Sequence, residues 1–391
     1  MRKIAAEWVF DGRQLLHQQC VLVADGGQIR ALEPAWLHAD AEWHTGLLCP
    51  GFVNAHAHLE LSHLAGSIPR GGGMVPFVEA VVHTRDAYTA DAQLQAARQA
   101  MQAACESGTV ALADISNTAI TAQLKQSSPL YTHTFIELLG ARPEAARPVF
   151  NRGFALLDAF APGRASLSPH APYSASAALL RILAAYADSF QQPVSIHFME
   201  SEAEQQWMEQ GAGPFRPFLG QMGIGHKPAA MDSADHLLRY LPRQQPVLLV
   251  HCTQVDEEVM QRLEAAGLQL WYGLCPRSNA YIHSRQPHYR IFPWQQGRVA
   301  LGTDSLASND SLSILDEIRF LQQQEPWLPL AWILQAATEG GASFLKLAWA
   351  GGISPGKSPG ILLIQGYQAE NQTLASTAKL KMLIPPQPYV F

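Results

Sequence analysis

At 391 residues, 48% hydrophobic and 15% charged, the chain can bury a large core, and large barrels fill such a length as one unit. The formal net charge of −6, with no basic cluster to offset it, argues against a nucleic-acid binder. Five scattered cysteines (Cys20, Cys49, Cys105, Cys252, Cys275) form no CxxC pair and read as reduced thiols. The opening MRKIAAEWVFDG is too polar for a signal peptide, and no apolar run reaches membrane-spanning length; a cytoplasmic protein is expected.

Residues 1 to 47 read as short strands, WVFDG, VLVADGGQIRALEP and WHTGLLCPG, broken by Asp-Gly turns. After Pro50-Gly51 the rhythm changes. GLLCPGFVNAHAH reads as one buried strand, and residues 75–107 carry a helical pattern closed by Gly108. TVALADIS, YTHTFIELLG (131–140), ASLSPH (165–170), PVSIHF (193–198), PVLLVHC (246–252), LQLWYG (268–273) and RVALGTD (298–304) continue the strands, for eight in all. Helical stretches such as SASAALLRILAAYADSF (174–190) and EEVMQRLEAAG (257–267) lie between most of them. Eight βα units over about 250 residues predict a (β/α)8 barrel. Beyond about 350 the chain returns to short strands able to pair with those of the N-terminal flank.

A barrel of this kind gathers the residues at the C-terminal ends of its strands around one mouth. His56 and His58 end the first strand, His197 the fifth, His251 the sixth and Asp304 the eighth. Residues i and i+2 on a strand face the same way, so His56 and His58 can reach one ion together. With His197 and Asp304 they form a donor set suited to Zn²⁺ or Fe²⁺. Glu200, three residues past His197, is placed to shuttle a proton between water and a substrate nitrogen; Glu202 and Glu204 read as a solvated first helical turn. His251 is either a fifth ligand or a hydrogen-bond partner of the attacking water. His170, in SPHAPYS, is expected to touch substrate. Most other histidines, His133 among them, read as surface or loop residues.

The motifs LCPGFVNAHAHLELS, SPHAPYS, HFMES, LLVHC, CPRSN and LGTDSLASN, in this order, resemble the amidohydrolase superfamily over nearly the whole chain. The resemblance implies an α/β fold: a distorted (β/α)8 TIM barrel over residues 48–352, with a small β-sandwich domain built from residues 1–47 and 353–391. HxxE after the fifth strand and PHAPYS after the fourth look like the deaminase branch. Binuclear relatives bridge two ions with a carboxylated lysine at the end of the fourth strand, whereas here no lysine occurs between Lys125 and Lys227. The resemblance therefore implies one divalent ion per chain, Zn or Fe, on His56, His58, His197 and Asp304, with Glu200, His251 and Asp304 catalytic. Ser62, Arg142, His170, Ser278, Asn279, Ser305 and Asn309 fall in loops after barrel strands, where substrate selection belongs, and Glu60 stays open between substrate contact and loop shaping.

NAHAHLELS, ADISN and GTDSLASNDSLSILDEIR, taken with the same motifs, resemble most closely the aminodeoxyfutalosine deaminases and related cytosine-deaminase-like amidohydrolases. The implied reaction is hydrolytic deamination of a 6-aminopurine nucleoside, a small-molecule substrate with no nucleic acid or membrane partner. The rivals are a guanine or cytosine deaminase or another cyclic amidohydrolase on the same site, a metal-dependent nuclease, and a non-catalytic metal-binding barrel. The H-x-E and P-C-x-x-C signature of the smaller zinc-deaminase fold is absent. Low charge and nine tryptophans suit a homodimer interface and core burial equally.

Overall fold

The structure of the protein, a computed structural model, describes residues 1–224, 231–292 and 297–387. It opens with four strands, β1 (Arg2–Phe10), β2 (Leu15–Val23), β3 (Ile29–Pro34) and β4 (Glu42–Pro50). A parallel sheet follows in the order β5 (Phe52–Ala57), β6 (Thr109–Ser116), β7 (Tyr131–Leu138), β8 (Arg164–Pro169). A second parallel sheet contains β9 (Val194–Phe198), β10 (Val247–His251), β11 (Leu270–Leu274) and β12 (Val299–Leu301). These are the eight expected barrel strands.

The two sheets meet along both seams. Ala57 and Asp304 bridge in parallel, where the Thr303 and Asp304 N–H groups donate to the His56 carbonyl at 2.9 and 3.0 Å. On the other side the His197 N–H donates to the His170 carbonyl at 2.9 Å. Strands buried on both faces suit parallel sheets covered by helices. Ile196, Leu249 and Leu301 accordingly share one apolar cluster with Ile314, Ile318 and Leu321 of the helix Ile314–Gln324.

The expected helices are capped as their sequences dictate. The helix Ala90–Glu106 starts at Thr89, whose hydroxyl accepts from the Ala92 N–H, and the chain leaves it through Gly108 at φ +89°. Ser176 and Asp256 cap the helices Ala177–Phe190 and Glu257–Ala265 in the same way.

GLLCPGFVNAHAH, read as one strand, is two. β4 belongs to the sheet of terminal strands and β5 to the barrel, with Gly51 at the joint. A Cβ on Gly51 would lie 2.2 Å from Val110 Cγ1 and 2.5 Å from the Pro359 carbonyl oxygen, so only glycine fits there.

The chain closes with β13 (Ile361–Gln368) and β14 (Thr373–Ile384), which complete a six-stranded sheet of order β14-β13-β4-β1-β2-β3. The two layers of the expected sandwich are one sheet folded over. The Ile29 N–H of β3 donates to Lys357 O at 2.8 Å, and the Gly356 N–H returns to Ile29 O at 3.0 Å. Ile4, Val21, Ile29, Leu48, Ile361 and Leu363 pack inside the fold.

Candidate metal centre and active site

Five side chains from four strand ends converge at the barrel mouth. Ligand-type atoms of His56, His58 and His197 all lie within 4.8 Å of one another. Asp304 Oδ1 stands 3.7 Å from His56 Nε2 and 3.4 Å from His58 Nε2. Its other oxygen, Oδ2, accepts the hydroxyls of Ser278 at 2.6 Å and Ser308 at 2.8 Å. The Asp304 carboxylate is thus held with one oxygen toward the imidazoles.

The imidazoles are held in their ligand form. His197 Nδ1–H donates to the His170 carbonyl at 2.9 Å, which leaves Nε2 as a lone pair. Burial, then repulsion from the neighbouring histidines, pushes His56 well below the ordinary histidine range. Burial lowers His58 as well, against the opposing pull of Asp304. Neutral imidazoles beside an aspartate oxygen are the donor set of zinc and iron sites, so these residues fit a divalent ion.

His251 and Glu200 form the next layer. His251 Nδ1–H donates to Asn279 Oδ1 at 3.0 Å, directing Nε2 toward Glu200 Oε1 at 3.4 Å. Among the described residues that Nε2 has no hydrogen-bond partner, an acceptor ready for water. Burial, reinforced by Asp304, Glu204 and Glu137, raises the Glu200 carboxyl well above its ordinary value. A carboxyl whose hold on its proton is strengthened by burial suits general acid work.

The backbone is strained here and almost nowhere else in the barrel strands. His251 (φ +73°), Cys252 (φ +56°), Asp304 (φ +57°) and Met199 (φ +46°) are all left-handed non-glycine residues, each costing about 1–3 kcal/mol.

A cavity of about 390 Å³ opens from this cluster, walled by His58, His170, His197, Glu200, His251 and Asp304 at its base. Outward it becomes apolar, along Leu61, Phe77, Val78, Leu139, Val149 and Leu219, and Arg85, Arg142 and Arg152 stand among these walls. The structure brings His170, Arg142 and Ser305 to the cavity as expected. Ser278 and Asn279 lie at 0% exposure behind it, occupied with Asp304 and His251. Asn309 is also behind it, its amide donating to Thr303 O and Glu317 Oε1, both at 2.8 Å. Ser62 is buried in the short helix Leu59–Leu64 without a cavity face. Glu60 shapes the loop: its carboxylate accepts the Asn117 and Thr118 N–H groups at 2.9 and 3.1 Å.

Two carboxylates were misread or missed. Glu204 is buried, and accepts the Met199 and Glu200 N–H groups at 3.2 and 3.0 Å and the Ser233 hydroxyl at 2.7 Å. Glu137 is the penultimate residue of β7 and faces the cavity. Its position at a strand end, the signal that singled out His197, could have found it. His133, expected at the surface, is buried in β7 with Nε2 3.0 Å from Ser166 Oγ.

An eight-stranded parallel barrel with a His/Asp cluster able to hold a metal ion and a buried glutamate at its mouth is the architecture of a hydrolase. The chain belongs to the amidohydrolase family, whose profile matches residues 47–384. It is 28% identical over 333 residues to an adenosine deaminase of Helicobacter pylori, covering 83% of this chain and 81% of that one. It is 30% identical over 338 residues to the aminodeoxyfutalosine deaminase of Deinococcus radiodurans, covering 82% and 78%. The crystal structure of Helicobacter pylori aminofutalosine deaminase in complex with methylthio-coformycin superposes with a TM-score of 0.86 over 100% of both chains, at 25% identity. Among the described residues no helix is long and apolar enough to cross a membrane.

Proposed function

We propose that the protein is a metal-dependent hydrolytic deaminase of a 6-aminopurine nucleoside, with aminodeoxyfutalosine as the best candidate substrate. The observation that carries this reading is Glu200, a buried carboxyl beside His251 and the His/Asp cluster at the base of a long cavity, its proton affinity raised by that burial. The deaminase relatives described above support the choice of reaction. One divalent ion, zinc or iron, would be held by His56, His58, His197 and Asp304. When bound it would supply Lewis acidity that brings water toward nucleophile strength near neutral pH.

The chain's own groups do the rest. Glu200 gives its proton to the ring nitrogen beside C6, making C6 electrophilic. Asp304 and His251 orient the attacking water and take up its proton. Once the C6–oxygen bond has formed, the ionised Glu200 takes the proton of the C6 hydroxyl and relays it to the amine; the C6–nitrogen bond breaks, ammonia leaves, and the proton held by Asp304 and His251 returns to Glu200. His170 and Ser305 face the substrate, and Arg142 stands where an anionic group on the substrate's far end would reach. The apolar outer walls suit a nucleoside with a substituent beyond its sugar. A bare guanine or cytosine would leave those walls against water, which favours the nucleoside reading over the base deaminases.

Glu200→Gln tests the assignment. Ammonia release should fall by about 10²–10⁴-fold with metal content unchanged. Wild-type turnover in a metal-loaded Glu200→Gln protein would refute it.

A further inference from the structure

Glu137 is the third carboxylate on the cavity wall, after Glu200 and Asp304, and the scheme above gives it no task. Its residue exposure is 8%. Oε2 accepts the Asn117 side-chain amide at 3.0 Å. Oε1 lies 3.4 Å from His197 Nδ1, but that N–H is committed to the His170 carbonyl at 2.9 Å. Among the described residues, no hydrogen-bond donor serves Oε1. A carboxylate oxygen with no donor in the fold is open to a donor on a ligand, and Glu137 lines the cavity that substrate would fill.

The order of residues along the wall says which part of the substrate meets it. Glu200 and His251, on the β9 and β10 side, take the reacting ring. Leu139 and Arg142, two and five residues past Glu137, line the apolar outer part. Glu137 stands beside His170 and His197, the ligand-type atoms of the three within 4.8 Å of one another, on the strand end that runs on to Leu139 and Arg142, and so adjoins both zones. In a nucleoside with a distal substituent, the group between ring and substituent is the sugar, whose hydroxyls are hydrogen-bond donors.

We propose that Glu137 is a specificity-determining residue that accepts a hydrogen bond from a sugar hydroxyl of the nucleoside, held in place by Asn117. This rests on the nucleoside deaminase reading. A site built to accept a hydroxyl proton rejects analogues lacking it, because the acceptor is then left buried and unpaired.

The test is ammonia release by metal-loaded protein from adenosine, 2′-deoxyadenosine and 3′-deoxyadenosine, with metal content measured in each variant. In the wild type, kcat/KM for adenosine should exceed that for at least one deoxy analogue by about 10- to 100-fold. Glu137→Gln should bring adenosine down to that analogue while leaving the analogue's own rate and the metal content in place. Asn117→Ala, which frees the Glu137 carboxylate, should lose part of the same preference and serves if Glu137→Gln does not fold. A wild type indifferent to both hydroxyls overturns the proposal, as does a Glu137→Gln protein that slows all three substrates equally or keeps the preference. Equal slowing with loss of metal would assign Glu137 to His197 instead. A metal-loaded wild type that deaminates none of the three would overturn the deaminase reading itself, and this proposal with it.

Discussion

Asp304 divides its two oxygens between two tasks. Ser278 and Ser308 saturate Oδ2, so Oδ1 is the oxygen presented to the imidazoles. Hydroxyls that orient a ligand typically change metal affinity by 10- to 100-fold. Ser278→Ala should weaken metal retention by about that factor in a chelator competition, with kcat close to wild type once metal is saturating. Asn279 stands in the same relation to His251, fixing the ring so that Nε2 points at Glu200. Both residues sit in CPRSN, which sequence reasoning took for substrate contacts. The motif's place after a barrel strand was legible. The direction of each side chain was not, because the helix Pro276–Ile282 turns Ser278 and Asn279 behind the mouth rather than into it. The histidines of NAHAH were easier, since a strand's two-residue repeat fixes which of them point together.

The turn after β9 explains why Glu204 is more than a helix cap. Met199 in the left-handed region makes its N–H and that of Glu200 converge, the geometry of an anion-binding nest. The Glu204 carboxylate fills that nest, while the Thr253 hydroxyl donates to the Glu200 carbonyl at 2.7 Å. Ser201 caps the same helix by accepting the Glu204 N–H at 3.2 Å. This is a capping box whose acid reaches back to the Met199 and Glu200 backbone. Glu204→Gln removes one acceptor from the nest. It should lower kcat about 10-fold or more while leaving KM and metal content near wild type. A change in thermal stability with kcat per metal-loaded chain intact would limit Glu204 to a structural role. The serine and glutamate of SEAE were visible in the sequence. That the acid turns inward could not be read there, because its partner Ser233 comes from a distant segment.

Across the whole molecule, local alternation made the barrel legible, since each βα unit announces itself within about 30 residues. The terminal sheet was legible only as strands. Its pairing of β4 with β1 in parallel and with β13 in antiparallel fashion joins segments about 40 and 300 residues apart. Buried titrating groups were equally hidden, and they set the pH response of the fold. His133 is pushed down to about 3 by burial, then by Arg164 and Lys125. An unfolded histidine binds its proton near pH 6.5, so this stabilisation is complete above that pH and is lost as pH falls toward 3. At pH 5 the loss amounts to about 2 kcal/mol. Burial raises Glu317 to about 8, the opposite sense: its contribution is lost as pH rises from the unfolded value near 4.5 toward 8. Between pH 7 and pH 5 the two effects oppose each other with similar size, so His133→Gln, which removes the acid-side loss, should raise the midpoint of thermal unfolding of metal-free protein at pH 5 relative to that at pH 7.

The most direct measurement of the central claim is ammonia release by protein of known metal content. Aminodeoxyfutalosine, adenosine, methylthioadenosine and S-adenosylhomocysteine should be compared with guanine and cytosine. The account predicts ammonia from adenine nucleosides, fastest with aminodeoxyfutalosine, in proportion to bound metal and abolished by Glu200→Gln. Turnover of guanine or cytosine alone, or no ammonia from any nucleoside by folded, metal-loaded protein, would contradict it.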